Sequence, residues 1–377
     1  MTVGVPREHF PGERRVALVP AHVSSLAKAE LKVIVEKGAG EASGFLDGAY
    51  EDKGAGIVDD VYPKSDVVLT VRAAAAAGDA DLPAFREGQT VLGYLEPYGP
   101  HPAFAKLVEQ KVTSLSMELI PRITRAQSMD ALSSMANLAG YRAAILVAEA
   151  LPKMFPMMMT AAGTIVPAKI FIIGVGVAGL QAIATTRRLG AVVGAYDVRP
   201  AVREQVESLG ARFIEMELQT DDAEGSGGYA KAMDEEFYRK QREFMTTVIA
   251  DSDAVITTAA IPGKPSPVLV TEVMVKQMAP GSVIVDLAAE RGGNCELTEA
   301  GKTVQKYGVT ILGPENIPSA LAFNASQLYS KNITTFLLSL ISDGRLKLDI
   351  EDEIVAATLV TREGTVPNVD LKERLGL

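Results

Sequence analysis

The chain has 377 residues, more than one ordinary hydrophobic core holds, so two domains are expected. Hydrophobic residues make up 47% and charged residues 22%, a globular balance that argues against a disordered chain. A net charge of −10 disfavours nucleic acid or an anionic bilayer as the main partner, the single Cys295 excludes an internal disulfide, and His9, His22 and His101 without paired cysteines give no zinc spacing.

The N-terminal MTVGVPREHF reads as a strand entering a charged turn, because no apolar stretch leads into a small-residue cleavage site. Up to about residue 120, Val3 to Val5, Val33 to Val35, Val67 to Val71, Val91 to Tyr94 and Val112 to Leu115 read as strands. Ala21 to Ala29, Gly48 to Gly54 and Pro102 to Gln110 carry helical patterns between them. Such alternation predicts a parallel sheet with helices on both faces. Ala73 to Ala77, followed by Gly78, reads as a helix end or a loose connection.

From Glu118 to Leu132 the pattern changes: RITRAQSMD packs two arginines, a glutamine and an acid into nine residues. A helix then runs from about Ala131 to Leu151, long enough to bridge two domains. The polar segment is thereby expected at the mouth between them, where dinucleotide enzymes hold the nicotinamide. The apolar stretches Ala143 to Ala150 and Phe155 to Ala162 are interrupted by Glu149, Pro152, Lys153 and Pro156, well short of the ~20 residues of a membrane span. A soluble cytosolic chain is expected.

The second domain opens near Lys169. An apolar run, Ile170 to Ile173, leads into Gly174-x-Gly176-x-x-Gly179, a helical stretch, a second apolar run and Asp197, 23 residues after Gly174. Gly174 permits the tight turn, Gly176 lets the backbone approach a pyrophosphate, and Gly179 lets the helix lie close on the strand. The helix start offers unpaired N–H groups and a positive dipole end to the phosphates. Asp197 is placed to accept both hydroxyls of an adenosine ribose and to repel a 2′-phosphate, which predicts NAD(H) rather than NADP(H). Arg199 and Arg203 could accept such a phosphate, but beside Asp197 they read as solvated charges at a helix start.

Beyond Asp197, Ala201 to Leu209 reads as a helix and Arg212 to Glu215 as a strand. The glycine- and acid-rich Gln219 to Gly228 reads as a mobile loop. Tyr229 at its end either swings onto the nucleotide or is an ordinary exposed tyrosine starting the helix Ala230 to Ile249. Strands follow at Ala254 to Thr258, Val283 to Leu287 and Val309 to Leu312, the last closing the sheet. Loops after strand C-termini line the ligand crevice of a doubly wound sheet, so Ile261 to Lys264 and Glu290 to Asn294 are candidate cofactor contacts. Ser319 to Leu340 reads as a second long helix with Leu328, Ile333, Phe336 and Leu340 on an apolar face. The fold class is therefore α/β: two doubly wound, Rossmann-like parallel sheets joined by long helices with a cleft between. Residues 1–130 plus 320–377 form a discontinuous first domain, and 140–318 the nucleotide domain.

RITRAQSMDALSSMANLAGYRAA (122 to 144), FPMMMTAAGTIVPAK (155 to 169), GVGVAGLQAIAT, YDVRPAVREQVESLGA, GGYAKAM (227 to 233), TTAAIPGKPSPVL (257 to 269), GSVIVDLAAERGGNCE (281 to 296) and SQLYSKN (326 to 332) are long, specific blocks between residues 122 and 332, and the resemblance they carry covers essentially the whole chain. Together they resemble the soluble NAD(H)-binding component of the proton-translocating NAD(P) transhydrogenases. In that family the alpha subunit often continues into membrane helices; this chain stops at Leu377 and so resembles the split form, which docks on membrane-spanning alpha and beta subunits at the cytoplasmic face of the inner membrane. The resemblance implies a homodimer, a partner beta-subunit domain that binds NADP(H), and direct hydride transfer from NADH to NADP⁺ coupled to inward proton movement.

Carried over residue by residue, Arg122, Gln127, Asp130 and Ser133 become the nicotinamide-side loop. Gly174, Gly176, Val177, Ala178, Gly179, Asp197, Val198 and Arg199 become the adenosine and pyrophosphate site, flanked by Ala260, Lys264, Glu290 and Asn294. Tyr229 becomes the tip of the mobile loop. Hydride transfer between two nicotinamides needs no proton donor on this chain; what the protein must supply is position, with the reacting carbons about 3–3.5 Å apart. Arg122 can bridge to a carboxamide or to Asp130, Gln127 can reach the partner nucleotide, and Asp130 can fix the carboxamide. The blander alternative is a structural, salt-bridged turn.

Alanine dehydrogenase resembles the same sequence. Its substrate-site arginine matches at Arg15, but Arg72, Glu96 and Glu290 stand at its lysine, histidine and aspartate positions. Amine chemistry needs a group titrating near neutrality, which neither arginine nor an ordinary glutamate provides, so no alanine turnover is expected. A third reading is a non-catalytic NAD(H)-sensing module.

Overall fold

The computed structural model describes residues 1–78, 83, 85–215, 235–261 and 263–377. Its strands are β1 Thr2–Val5, β2 Lys32–Glu36, β3 Gly56–Val58, β4 Val67–Arg72, β5 Thr90–Tyr94, β6 Thr113–Ser116, β7 Met158–Thr160, β8 Gly163–Ile165, β9 Lys169–Ile173, β10 Val192–Tyr196, β11 Arg212–Phe213, β12 Ala254–Thr257, β13 Val283–Asp286, β14 Thr303–Lys306, β15 Val309–Leu312, β16 Ile341–Ser342, β17 Arg345–Leu346 and β18 Leu359–Thr361. The chain divides into two compact units, Met1–Met135 with Pro318–Leu377, and Ala136–Ile317.

Among the described residues each unit holds a seven-stranded sheet, ordered β18-β6-β5-β4-β1-β2-β3 in the first and β11-β10-β9-β12-β13-β15-β14 in the second. The interior pairings are parallel, as the strand–helix alternation predicts, and helices cover them. One strand in each sheet runs the other way. The expectation that Val309–Leu312 closes the second sheet is corrected: β14 lies outside β15, antiparallel to it. The two join through Tyr307 (φ 55°) and Gly308 (φ 80°), a pair of left-handed residues that makes a tight hairpin and folds a polar strand onto the edge. In the first sheet β18 adds antiparallel to β6, carrying the C-terminal segment onto that edge.

In the second unit the strands feed two cores, one on each face, because successive side chains point to opposite sides. Ile170, Ile172, Val193, Ala195, Ile256 and Val285 pack against Ala143, Val147, Ile183 and Val206. Phe171, Ile173, Val255, Ile284 and Ile311 pack instead against Met245, Ile249, Met274 and Val275. Strands buried on both faces read as continuous apolar runs, which is why β9, β12 and β13 are legible in the sequence.

The second long helix spans Ala322–Ser339, and its buried stripe is mixed: Ala325, Ser326, Tyr329, Ser330, Ile333, Phe336 and Leu337. Leu328, expected on the apolar face, is 41% exposed, because it stands off the i, i+3, i+4 rows that contain Ser326, Tyr329 and Ser330. The serines face inward for a reason. Ser326 and Ser330, with Ser319 just before the helix, accept the backbone N–H groups of Val16, Val19 and Arg14, at 3.0, 2.9 and 2.6 Å, and so satisfy a segment, buried from Arg15 onward, that lies outside the described strands.

Candidate functional site

The glycine turn stands at the C-terminal end of β9, where β9 pairs β10 on one side and β12 on the other. This is the point at which the strand order reverses and open α/β sheets leave a crevice. Gly174 has φ 92°, and a Cβ there would lie 2.8 Å from Thr258 Oγ1, whose hydroxyl donates to Gly174 O at 2.8 Å. A Cβ on Gly179 would lie 2.0 Å from Gly174 O, so only glycine lets the helix start against the turn. At Gly176 the place of a Cβ is open space. Gly176 also caps the helix Val177–Arg188 without any side-chain bond, and no acid stands in the first turn. An open approach to uncapped N–H groups at a helix start suits a pyrophosphate.

A fourth glycine, outside the fingerprint, supports the turn. Gly140, on the helix Ala131–Ala150, would put a Cβ 2.0 Å from Ala178 O, so the two helices meet there through bare backbone. Sequence reasoning misses such a site because the contact joins residues far apart in the chain.

Asp197 sits just past β10, buried to 9% exposure. Its Oδ2 accepts Val175 N at 2.7 Å, which ties the acid to the glycine turn. The reading of Arg199 as a solvated charge is corrected: its side chain is 13% exposed and grips Asp197, Nε to Oδ1 and Nη2 to Oδ2, both at 2.8 Å. Arg203 is more open, pairing with Glu215 and lying over the Phe213 ring. Val198 is half-buried against the core beneath.

The flanking loops differ in what they present. Ala260 and Lys264 are exposed beyond β12. Glu290, also exposed, accepts the backbone N–H of Asn316. Asn294, expected as a cofactor contact, is fully buried: its Oδ1 accepts Ala259 N at 2.9 Å, and its Nδ2 donates to Ala259 O and Pro267 O at 2.8 Å. With both amide hydrogens committed, it braces the loop after β12 instead of reaching outward. It is in turn held by Asp286, a buried acid that nothing in the sequence singles out. Asp286 accepts Thr257 Oγ1, Ala288 N, Asn294 N, Cys295 N and Thr298 Oγ1. Tyr229 lies outside the described residues.

Arg122, Gln127, Asp130 and Ser133 belong to the first unit. Arg122 and Gln127 are exposed. Asp130 starts the helix Ala131–Ala150: its carboxylate accepts Ser133 N at 2.8 Å and Ser133 Oγ at 2.5 Å, while its carbonyl accepts Ser134 Oγ at 3.1 Å.

The same unit holds a charged cluster around Glu13, whose side chain is fully buried. The Arg15 guanidinium donates to it through Nε at 2.7 Å and Nη2 at 2.6 Å, and Arg72 Nε donates at 3.1 Å. Burial alone would raise the Glu13 carboxyl; the bonds and charges of Arg15 and Arg72 outweigh it and bring it down to about 2. Glu8 does the reverse. It accepts Thr70 Oγ1, Val71 N and Arg72 N where the β4–β5 register shifts, and burial, with Glu13 nearby, pushes it up to about 7.

Known proteins share this architecture and its sequence. The model of the alanine dehydrogenase/PNT N-terminal domain matches residues 4–139, and that of the C-terminal domain residues 143–368. The chain is 48% identical to the first part of the NAD(P) transhydrogenase alpha subunit of Rhodospirillum rubrum, over 97% of each chain. It is 31% identical to "Alanine dehydrogenase 2" of Staphylococcus aureus, over 99% and 96%. A solved transhydrogenase structure from Sinorhizobium meliloti superposes with a TM-score of 0.88 at 47% identity, over 97% of this chain and 100% of that one. The chain belongs to the alanine dehydrogenase/PNT family, on its NAD(P) transhydrogenase alpha-subunit side.

Proposed function

We propose that this chain is the NAD(H)-binding component of a proton-translocating NAD(P) transhydrogenase, which presents NADH for direct hydride transfer to NADP⁺ held by a partner beta-subunit domain. The observation that carries the reading is the turn Gly174–Gly179: an open approach at Gly176, an uncapped helix start and a buried acid at Asp197 in one crevice. In this reading Val177 and Ala178 offer backbone N–H groups to the pyrophosphate, Asp197 and Val198 border the adenosine ribose, and Ala260, Lys264 and Glu290 line the loops around it. Arg122, Gln127, Asp130 and Ser133 position the nicotinamide. The hydride passes between nicotinamides, so this chain contributes position and exclusion of water rather than a proton.

The charged cluster of the first unit speaks against alanine dehydrogenase. Arg15, the arginine that would hold a substrate carboxylate, already has a carboxylate, Glu13, in bidentate contact. Arg72 donates to the same acid and lies 4.3 Å from the Phe10 ring centroid. Both cations are occupied by the chain itself.

The homodimer finds support in the hairpin β7–β8. Residues 154–168 carry no charge, and Met157, Met159 and Val166 are exposed by 62, 79 and 61%. The lysines that bracket it, Lys153 and Lys169, are paired with Asp253 and Asp251, so neither is spare for a lipid headgroup. An uncharged arm of this kind suits a second copy of the chain. Attachment to the membrane would then come through partner subunits, since among the described residues no helix is long and apolar enough to cross one.

The test is a cyclic assay with NADH, an acetylpyridine analogue of NAD⁺ and trace NADP(H), with and without a purified NADP(H)-binding domain. Hydride exchange is expected only when both proteins are present. NADH binding without exchange would favour the sensing module, and NADH-dependent amination of pyruvate would favour the dehydrogenase.

A further inference from the structure

The acid at the end of β10 is not alone. Both Asp197 oxygens are occupied by the chain: Oδ1 accepts Arg199 N and Nε at 2.9 and 2.8 Å, and Oδ2 accepts Val175 N and Arg199 Nη2 at 2.7 and 2.8 Å. The side chains of the pair are 6 and 13% exposed, so water screens it little. The guanidinium thus stands one hydrogen bond from the atoms that would receive the ribose hydroxyls. A phosphate on the 2′-oxygen would come within its reach. The other arginine past the acid, Arg203, is likewise committed to a carboxylate, Glu215.

We propose that Arg199 is a latent receptor for a nucleotide 2′-phosphate, and that Asp197 confers NAD(H) selectivity mainly by sequestering it. The inference rests on the NAD(H) reading of this crevice. If the acid acted only by repelling phosphate, removing it would admit NADP(H) whether or not the arginine remained. If it acts by holding the arginine, the gain depends on Arg199. A 2′-phosphate competing for the guanidinium in the native chain would have to break a bidentate pair and leave a buried carboxylate facing a dianion, which is costly twice over.

Calorimetric titration of the full chain with NADH and with NADPH separates these cases. NADH binding by the native chain tests the reading of the crevice. Asp197→Asn is expected to raise NADPH affinity at least tenfold while weakening NADH, and Asp197→Asn/Arg199→Ala is expected to lose that gain. A folded Asp197→Asn chain that gains nothing, or a double variant that keeps the gain, overturns the proposal. Should the buried amide prevent folding, as a melting curve would show, Asp197→Ser with and without Arg199→Ala is read by the same criteria.

Discussion

Glu8 and Glu13 sit in one charged cluster and titrate in opposite directions. Glu13, held at about 2, is charged in the folded chain and stabilises it above about pH 4.5, a contribution lost as pH falls toward 2. Glu8, raised to about 7, holds its proton more tightly in the folded than in the unfolded chain. Its contribution is complete below about pH 4.5 and declines as pH rises toward 7. Glu8→Gln is therefore expected to melt progressively higher than the native chain from pH 4.5 to 7.5; parallel melting profiles would remove Glu8 as the titrating group. At the proposed nicotinamide loop the expectation is kinetic. Gln127 is exposed, so Gln127→Asn should leave NADH affinity within about twofold while slowing hydride transfer by roughly ten- to a hundredfold, since a positioning contact shortened by one methylene misplaces the reacting groups by about 1 Å. An unchanged single-turnover rate would place Gln127 outside the reaction. The partners of such polar residues were not readable in the sequence: nothing in DVRP says that Arg199 folds back on Asp197.

The glycine turn depends on the elements around it as much as on its own residues. Thr258 bonds Gly174 O from the end of β12, Asp197 bonds Val175 N from the end of β10, and Gly140 lets a neighbouring helix touch Ala178 O. Gly140→Ala would press a methyl group against that carbonyl, which cannot move without shifting the helix start. A loss of roughly 1–3 kcal/mol in stability and a weaker NADH complex are expected. Native stability by denaturant titration with unchanged NADH affinity would show that the contact is slack. The loops on the other side are set by Asp286, which gathers three backbone N–H groups and two hydroxyls. It reads in VIVDLAAE as the end of a strand, and its role arises only because the chain curls back over it as far as Thr298. The antiparallel edge strands, β14 and β18, were illegible for a related reason. β14 is polar on one side and short, and it is a strand because the left-handed Tyr307–Gly308 turn lays it along β15.

On the scale of the molecule, the exposed arm 154–168 is the feature least suited to an isolated chain. A two-stranded hairpin is marginal in water, and here it carries large apolar side chains without charge. Met159→Glu is expected to shift the proposed dimer toward monomer by at least tenfold in dissociation constant, measured by sedimentation, with the melting temperature of the chain little changed. A native chain that sediments as a monomer, or a variant that remains dimeric, would count against the arm as the interface.

Fold class was determined by the sequence itself, because strands buried on both faces must be continuous apolar runs and the glycine fingerprint imposes a strand–turn–helix. The NAD(H) expectation was legible too, from Gly174, Gly176, Gly179 and an acid 23 residues on. Tertiary structure decided which polar groups are used up within the chain. Arg15 on Glu13, Arg199 on Asp197, and Asn294 on Ala259 and Pro267 are satisfied by residues that folding brings beside them. A buried polar side chain must find a partner, and which partner it finds depends on proximity in space, which composition and spacing do not encode.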